Sequence, residues 1–248
     1  QLAWRHTKIE ELGSEWLFKQ EYPANSSEAF QVSGEDRFIS PEKVMAARKN
    51  TVENYGPLII GVDPARFGDD RTAIVRRQTR KVFGIESYSK IDTMETTGKV
   101  VKIIQEENPA MVFIDVGGLG AGVVDRLREL GYGTDMVIGV NGGEKPMNGN
   151  KYFNKRAEMW GEGREWLGDD AGVDLPDSDS LQADLTGPSY SYDSATRLRL
   201  EKKEDMKRRG IRSPDEGDAW ALTFSFPVSI NETTEQYTLA QEGGWLGA

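Results

Sequence analysis

The apolar positions from Pro57 to Ser89 fall into three short runs separated by polar and glycine-containing turns. The runs read PLIIGVD, TAIVRRQ and KVFGIESYS. Short apolar runs bounded by turn residues are typical of β-strands, and brief connections favour pairing between consecutive strands. The pattern therefore predicts an antiparallel meander of three strands.

After the third run the pattern changes to an alternation of helical and strand segments. In order, these segments read ETTGKVVKIIQEENP, AMVFIDV, GAGVVDRLRELGYG and DMVIGV. The first has the helical apolar spacing of Val100, Ile103 and Ile104. It ends before Pro109, and Gly131 closes the second helix. Three hairpin-linked strands followed by helix, strand, helix and strand predict an α/β fold with a mixed sheet, antiparallel and then parallel, flanked by helices.

The sequence from residue 151 to residue 200 predicts a helix, a loop and a hairpin. One side of the helix over 151–167 would be formed by Phe153, Ala157, Trp160, Arg164 and Leu167. Residues 168–187 are polar and predict a loop. The stretch PSYSYDSATRLRLEKK alternates like a β-hairpin, with its turn near Asp193 and Ser194.

Two further helices carry recognisable N-terminal signals. In ISPEKVMAARKN, Ser40 would cap the helix and Pro41 would take its first position. In SPDEGDAWALTFSF, Ser213 and Pro214 would play the same parts. The tail from about Val228 is weakly patterned, and we expect it to be disordered.

Composition limits the kinds of site that the chain can build. No stretch approaches the roughly 18 apolar residues that span a bilayer, and the beginning QLAWRHTKIEELG lacks the apolar block of a signal peptide, so we expect an intracellular protein. The chain has 248 residues with no cysteine and one histidine. Disulfides, thiolate sites and multi-histidine zinc sites are therefore excluded. Any metal would bind oxygen ligands, which suit Mg²⁺, Mn²⁺ or Ca²⁺.

The net charge of -10 argues against a protein that coats nucleic acid, because such binding depends on lysine and arginine neutralising phosphates. The segment 197–212 differs, with eight basic and three acidic residues, a net charge of +5. This composition fits either a solvated surface or a DNA contact. The candidate DNA-binding residues are Arg197, Arg199, Lys202, Lys203, Lys207, Arg208 and Arg209.

Acidic residues follow two of the predicted strands and open the last helix. Asp63 ends the first strand and Asp115 ends the fourth. A right-handed crossover through one helix makes these strands parallel neighbours, so both carboxylates would lie at one sheet edge. Asp215 and Asp218 are three positions apart and can share a helix face. Each acid alone could be a turn former or a helix N-terminal charge.

Carboxylates brought this close repel one another, and burial makes their ionisation less favourable still. A divalent cation would resolve the repulsion, and two cations about 3.5–4 Å apart can hydrolyse a phosphodiester. In this hypothesis Asp63 bridges both metals, Asp115 holds one, and Asp218 with Asp215 holds the other. The catalytic residues would then be Asp63, Asp115 and Asp218.

In the combination of these features, the chain resembles the nuclease domain of the large terminase subunit of tailed bacteriophages, which has a ribonuclease H-like fold. The matching segments are IIGVDPARFGDDRTAIV, MVFIDVGGLGAGVVDRL, NKRAEMW and SPDEGDAWALT. The segment EWLFKQEYPANSSEAF looks like the place where that family's ATPase domain ends and its nuclease domain begins. Resolvases and transposases have the same set of acids. The segment EYPANSSEAF makes the resemblance more specific to the terminase family.

The resemblance implies a metal-dependent endonuclease that cuts concatemeric viral double-stranded DNA during genome packaging, with two Mg²⁺ or Mn²⁺ ions. By position, Asp63, Asp115 and Asp218 match the family's metal-binding acids, and Asp215 matches its less uniform fourth position. The implied partners are double-stranded DNA, an N-terminal ATPase domain, the small terminase subunit and the capsid portal, with no membrane. The implied location is the cytoplasm of the infected bacterial host.

The same resemblance implies a division of the chain. Residues 1–50 would be the end of the ATPase region and a linker, 51–228 the nuclease domain, and 229–248 a C-terminal tail. The G-x-x-x-x-G-K-[ST] phosphate loop of the family's ATPase is missing from the sequence. We therefore expect the chain to be a C-terminal portion of such a subunit.

Two other functions remain open at this stage. Actin-like and sugar-kinase ATPases also begin with an acidic strand, a glycine turn and a second strand, although they need a further phosphate loop and a duplicated domain. A non-catalytic DNA clamp or portal-docking module is the other alternative. Metal-dependent DNA cleavage, ATP hydrolysis or neither activity would separate the three.

Overall fold

The structure, a computed structural model, describes residues 4–5, 7–9, 22, 37–65 and 70–228. Its strands are β1 (Leu58–Asp63), β2 (Arg71–Gln78), β3 (Lys81–Ser89), β4 (Met111–Asp115), β5 (Val137–Val140), β6 (Tyr190–Tyr192) and β7 (Leu198–Leu200). Its helices from residue 37 onwards are α1 (Pro41–Lys49), α2 (Thr93–Glu107), α3 (Gly120–Glu129), α4 (Lys155–Trp166), α5 (Asp179–Thr186), α6 (Lys203–Arg208) and α7 (Asp215–Leu222). The predicted disordered tail and most of the EWLFKQEYPANSSEAF segment lie outside the described residues.

Five strands form one mixed sheet in the order β3-β2-β1-β4-β5. β1 pairs antiparallel with β2, and β2 pairs antiparallel with β3. β4 is parallel to both β1 and β5. The predicted fold class is confirmed, because three antiparallel strands are followed by parallel ones and β6 and β7 form a separate hairpin before the last helix.

The register of β1 and β4 brings two acids to the same sheet edge. Val62 pairs with Ile114, so the next residues in the two strands are Asp63 and Asp115. Alternate residues of a strand face opposite sides of the sheet. Asp63 therefore faces the same side as Gly61, where α7 packs.

Each face of the sheet is covered by its own apolar core. On one face, Ile60, Val62 and Val112 pack with α2 and α3. On the other, Ile59 and Phe113 pack in a cluster that also holds buried residues of α1, α4, α5 and α7. A Cβ atom on Gly61 would lie 1.9 Å from the carbonyl oxygen of Ala219, so glycine is what allows α7 to approach β1 so closely. This contact carries the acidic first turn of α7 to the end of β1.

Two predicted N-terminal signals have different outcomes in the structure. Ser40 caps α1, its hydroxyl accepting a hydrogen bond from the backbone of Lys43, and Pro41 is the first helical residue. Ser213 does not cap α7, because its buried hydroxyl has no hydrogen-bond partner among the described residues and the N-cap residue is Pro214. That second prediction is wrong.

The predicted helix over 151–167 begins later than expected, at Lys155. Asn154 caps it by accepting a hydrogen bond from the backbone of Ala157. Phe153 lies before the helix, and its backbone N–H donates to the carbonyl oxygen of Leu198 in β7. The residue is thus part of the hairpin surface and not of the helix side predicted for it, whereas Trp160 lies within the helix and in the core.

The predicted loop over 168–187 contains a helix, α5, so that prediction is wrong at its C-terminal end. Ser178 caps the helix, and Leu181 and Leu185 bury one side of it. α6 likewise forms where only a basic segment was expected, with Met206 buried. No helix in the described ranges has both the length and the apolar character needed to cross a bilayer.

Candidate active site

Asp63 and Asp218 converge on one cation of the protein itself, the side chain of Lys203. The Nζ atom of Lys203 lies 2.8 Å from Oδ2 of Asp218 and 3.4 Å from Oδ2 of Asp63. Both acids are buried, with 7% and 6% of their surface exposed. The end of β1, the first turn of α7 and the start of α6 therefore meet at one charged centre.

The two carboxylate oxygens of Asp218 have different roles. Oδ1 accepts hydrogen bonds from Nε of Arg156 and Nε1 of Trp160, both at 2.9 Å. Oδ2 is buried, and within the described residues its one polar partner is the ammonium of Lys203, 2.8 Å away. One oxygen is thus fixed by α4, and the other faces a cation.

The electrostatic environment separates the two buried acids. Burial alone would raise the pKa of Asp218, but Arg156, Lys203 and the Trp160 hydrogen bond outweigh it and hold the pKa at about 2. Asp63 accepts only a long hydrogen bond of 3.4 Å, from Lys203, within the described residues. Burial raises its pKa to about 7, Lys203 opposes the shift, and the neighbouring carboxylates of the cluster add to it. Ionisation is therefore much less favourable for Asp63 than for Asp218, chiefly because Asp63 is buried with fewer donors.

Asp115 joins the cluster from the end of β4. Its Oδ1 atom accepts a hydrogen bond from the backbone N–H of Gly117 at 2.9 Å. Burial raises its pKa, the Gly117 hydrogen bond and Lys203 oppose the shift, and Asp218 reinforces it. A Cβ atom on Gly120 would lie 1.8 Å from the carbonyl oxygen of Asp115, so glycine is required where α3 starts against the strand end.

Asp215 borders the same acidic cluster, but one of its carboxylate oxygens forms a structural hydrogen bond. Its Oδ2 atom accepts a hydrogen bond from the backbone N–H of Arg71 at 2.8 Å, which fixes the start of β2 to α7. Burial raises the pKa of Asp215, that hydrogen bond and Lys203 lower it, and Asp218 adds repulsion. Its other oxygen accepts no hydrogen bond from the rest of the described chain.

The first turn of α7 is capped by a residue from another helix. Oδ2 of Asp184 in α5 accepts hydrogen bonds from the backbone N–H groups of Glu216 and Gly217, at 2.9 and 3.4 Å. Arg212 forms an ion pair with the other oxygen at 3.0 Å. Burial raises the pKa of Asp184 to about 6, against the effect of Arg212. This buried carboxylate fixes the turn that presents Asp218.

The donor set suits a hard divalent cation, although the described chain has no preformed site. Within residues 37–65 and 70–228, no three acidic or histidine side chains are arranged to hold a metal ion. Instead, the ammonium of Lys203 lies between Asp63 and Asp218. The buried Oδ2 atom of Asp218, whose one polar partner in the described chain is that ammonium, is an oxygen ligand of the kind that Mg²⁺ and Mn²⁺ prefer.

Most of the candidate DNA-binding residues form ion pairs within the described part of the chain. The pairs are Arg197–Asp193, Lys203–Asp218, Lys207–Asp70, Arg208–Asp205 and Arg209–Glu201. Arg199 and Lys202 have no carboxylate partner there. Lys203 points into the acidic cluster. A DNA contact by these residues stays a prediction.

Sequence reasoning did not find Arg156, Trp160 or Asp184 as site residues. Arg156 and Trp160 lie in the NKRAEMW segment, whose spacing indicates only a helix, and their contacts with Asp218 join residues 62 and 58 positions apart. Asp184 lies where a loop was expected. The available signal was Ser178 followed by the apolar spacing of Leu181 and Leu185, which marks the helix that carries Asp184.

Comparison with known proteins gives matches among solved structures only. No protein-family model matches the chain, and no curated protein matches it. The nuclease domain of the large terminase subunit gp2 of bacterial virus Sf6 is similar at 22% identity with a TM-score of 0.68, over 77% of this chain and 99% of that one. A mutant of the Sf6 domain was solved with manganese and beta-thujaplicinol, at 22% identity and a TM-score of 0.68.

Two other phage proteins have the same fold. The large terminase nuclease from thermophilic phage G20c, solved with bound magnesium, has 14% identity and a TM-score of 0.52, over 70% of this chain and 85% of that one. The HK97 bacteriophage large terminase has 12% identity and a TM-score of 0.55, over 76% of this chain and 43% of that one. The resemblance drawn from the sequence is thus confirmed for the fold, which is that of phage terminase nuclease domains.

Proposed function

We propose that this chain is a divalent-metal-dependent endodeoxyribonuclease, the nuclease part of a phage large terminase subunit. The observation that carries the proposal is that Asp63 and Asp218 face a single cation, the ammonium of Lys203, at the strand ends of this fold. Asp115 is brought to the same edge by the strand register. Repulsion within a buried acidic cluster destabilises the folded protein, so the presence of such a cluster favours a catalytic role for it.

In this proposal Asp63, Asp115 and Asp218 are the catalytic, metal-holding acids, with Asp215 as a fourth ligand. Divalent cations bound there would activate a water molecule for attack on a phosphodiester and stabilise its leaving oxygen. Two ions about 3.5–4 Å apart can perform both tasks. Either Mg²⁺ or Mn²⁺ fits these oxygen donors.

The other residues of the site prepare Asp218 for that role. Arg156 and Trp160 donate to Oδ1, which keeps Oδ2 turned towards the centre and keeps Asp218 ionised. Asp184 fixes the backbone turn that carries it. Lys203 balances the charge of the acids in the absence of a metal ion, and its side chain must turn away for a cation to take its place between Asp63 and Asp218.

The substrate in this proposal is concatemeric viral double-stranded DNA, cut during genome packaging. The same proposal divides the chain into the end of an ATPase region with a linker (1–50), the nuclease domain (51–228) and a C-terminal tail (229–248). It also includes three partners, namely an N-terminal ATPase domain, the small terminase subunit and the capsid portal. The site of action would be the cytoplasm of the infected bacterial host. The similar proteins support this context, since each is a phage large terminase or its nuclease domain.

The test is conversion of supercoiled plasmid to nicked and linear DNA in Mn²⁺ or Mg²⁺ without ATP. Asp63→Asn and Asp218→Asn should abolish cleavage. Asp125→Asn, which changes an exposed acid of α3, should cleave like the wild type. Intact plasmid after incubation of fresh wild-type protein with Mn²⁺ at low salt would contradict the proposal, and ATP hydrolysis without DNA cleavage would favour the kinase-like alternative.

A further inference from the structure

A cavity of about 360 Å³ lies between the start of α4 and the hairpin of β6 and β7. Its lining includes Phe153, Asn154, Tyr190, Arg199 and Lys202. The volume is at the lower end of the range for small-ligand pockets, roughly 300–1,000 Å³. A cavity of this size can hold one nucleotide and is too small for a duplex.

Phe153 presents an aromatic surface at the mouth of this cavity. Its backbone is fixed to β7 by the hydrogen bond to Leu198, and 39% of the residue is exposed. Arg199 lies in β7 and Arg197 directly precedes the strand, and both guanidinium groups lie over the same ring. Their guanidinium groups lie 5.2 and 4.2 Å from the centre of the Phe153 ring. The ring and the guanidinium planes together form a stacking surface of the kind that binds unpaired bases.

The cations at this surface are not equally available to a ligand. Arg197 is held by Asp193 through a contact of 2.6 Å. Arg199 and Lys202, in contrast, have no carboxylate partner among the residues that the structure describes. The cavity contains two acids, Glu201 and Asp205, which are neutralised by Arg209 and Arg208. Two positive charges therefore remain for phosphate groups.

The cavity directly borders the candidate active site. The carbonyl oxygen of Glu201, in the cavity wall, accepts a hydrogen bond of 2.8 Å from Nη1 of Arg156, whose Nε atom donates to Asp218. Lys202 is followed by Lys203, whose ammonium lies between Asp63 and Asp218. One side chain, Arg156, thus joins the cavity wall to the acidic cluster.

We propose that this cavity binds one unpaired nucleotide of the DNA strand that is cut, with the base stacked on Phe153 and Arg199 and a flanking phosphate at Lys202 and Arg199. The inference rests on the proposed nuclease function and adds a preference to it. In a duplex the bases are stacked inside and cannot reach the surface. Single-stranded or locally opened DNA should therefore bind more tightly than intact duplex.

The test compares the binding of a fluorescein-labelled twelve-nucleotide oligothymidine with that of a twelve-base-pair duplex, by anisotropy in EDTA. Wild-type protein should prefer the single strand. Phe153→Leu keeps an apolar side chain against β7 but removes the ring, and should weaken single-strand binding by roughly five- to a hundredfold, the range for loss of one stacked base. Phe153→Trp should restore it. The duplex affinity of both variants should change by less than about threefold.

Arg128→Ala, an exposed arginine near the end of α3, is the matched charge control and should bind both DNAs like the wild type. Equal binding of the single strand by wild type and Phe153→Leu would overturn the inference, as would an equal loss for single strand and duplex. If the wild type still cleaves plasmid in that case, the nuclease proposal stands and only the nucleotide subsite is lost. A wild type that neither cleaves plasmid nor binds either DNA would overturn both.

Discussion

Lys203 and Asp218 form an ion pair of 2.8 Å whose lysine end also lies 3.4 Å from Asp63, so a side chain supplies the positive charge between two buried acids. Burial alone would lower the pKa of this lysine, but Asp218 and Asp63 raise it above its usual range. The protein thus has a cation at this position even without metal. Any divalent ion that bridges the two acids must displace the ammonium.

Removal of the lysine should therefore have opposite effects with and without metal. Lys203→Ala should bind Mn²⁺ several-fold more tightly, because no ammonium competes, and should melt at a lower temperature in EDTA. Breaking a buried pair costs about 3–5 kcal/mol, and the exposure of the lysine reduces this to about 1–3 kcal/mol, or several degrees of Tm. Lys207→Ala, which removes a more exposed lysine paired with Asp70, is the control and should change neither quantity much. Unchanged Mn²⁺ affinity in Lys203→Ala would contradict the competition between ammonium and metal.

Asp63 should make the metal-free protein less stable as the pH rises. Its pKa is about 7 in the folded protein against an ordinary value of 3.8, so the folded state binds more protons and stability falls from about pH 4 to pH 7. Asp63→Asn should therefore melt several degrees higher than wild type at pH 8 in EDTA, and the difference should close towards pH 4. Mn²⁺ should stabilise the wild type far more than the variant, and the variant should not cleave DNA. A variant that melts lower at pH 8 and still gains stability from Mn²⁺ would show that Asp63 is an ordinary turn residue.

Trp160 should affect metal binding through Asp218 alone. Trp160→Phe keeps the ring in the core but removes the hydrogen bond to Oδ1, and loss of such a supporting bond to a ligand typically lowers metal affinity about 10–100-fold. Cleavage should recover at saturating Mn²⁺. Trp166→Phe is the control, because it removes a similar indole hydrogen bond, to the carbonyl oxygen of Thr79, remote from the acids. Equal Mn²⁺ requirements in the two variants would remove Trp160 from the site.

Arg208 gives the cleanest test of DNA contact by the basic segment. Its side chain is 78% exposed and, within the described part of the chain, pairs only with Asp205 on its own helix. Arg209, in contrast, is paired with Glu201, a residue that also accepts hydrogen bonds from Ser189. Arg208→Ala should weaken binding to DNA of any sequence. The slope of log K against log salt concentration should fall in magnitude by about 1, because one fewer phosphate contact releases about one fewer counterion. Arg208→Ala and the control Arg128→Ala should both melt at the temperature of the wild type. An identical salt slope would place Arg208 outside the DNA interface.

The sequence was sufficient to predict the sheet and the two acids at its edge, because both follow from short-range patterns. Asp63 and Asp115 each end an apolar run, and one crossover rule makes the two strands parallel neighbours. The acidic turn of α7 was predictable in the same way. Its cap was not, since Asp184 reaches Glu216 from 32 positions away.

The supporting contacts of the site depend on packing that no local pattern records. Trp160 was predicted only as part of one side of a helix; it lies in the core, and its indole nitrogen also orients Asp218. Lys203 was grouped with a basic surface by composition, but the start of α6 turns its side chain inwards to Asp63, 140 positions away. The missed helix α5 had a usable signal in Ser178 followed by the apolar spacing of Leu181 and Leu185.

The most direct test of the metal centre is an anomalous difference map from a crystal of the wild-type protein soaked in Mn²⁺. We expect manganese peaks in contact with Asp63, Asp115 and Asp218, with the ammonium of Lys203 moved out of the space between Asp63 and Asp218. A parallel crystal of Asp63→Asn should lose the manganese peak that lies in contact with residue 63. A map in which Lys203 keeps its contacts and no peak lies among these acids at saturating Mn²⁺ would contradict the claim that this cluster is a metal-dependent catalytic site.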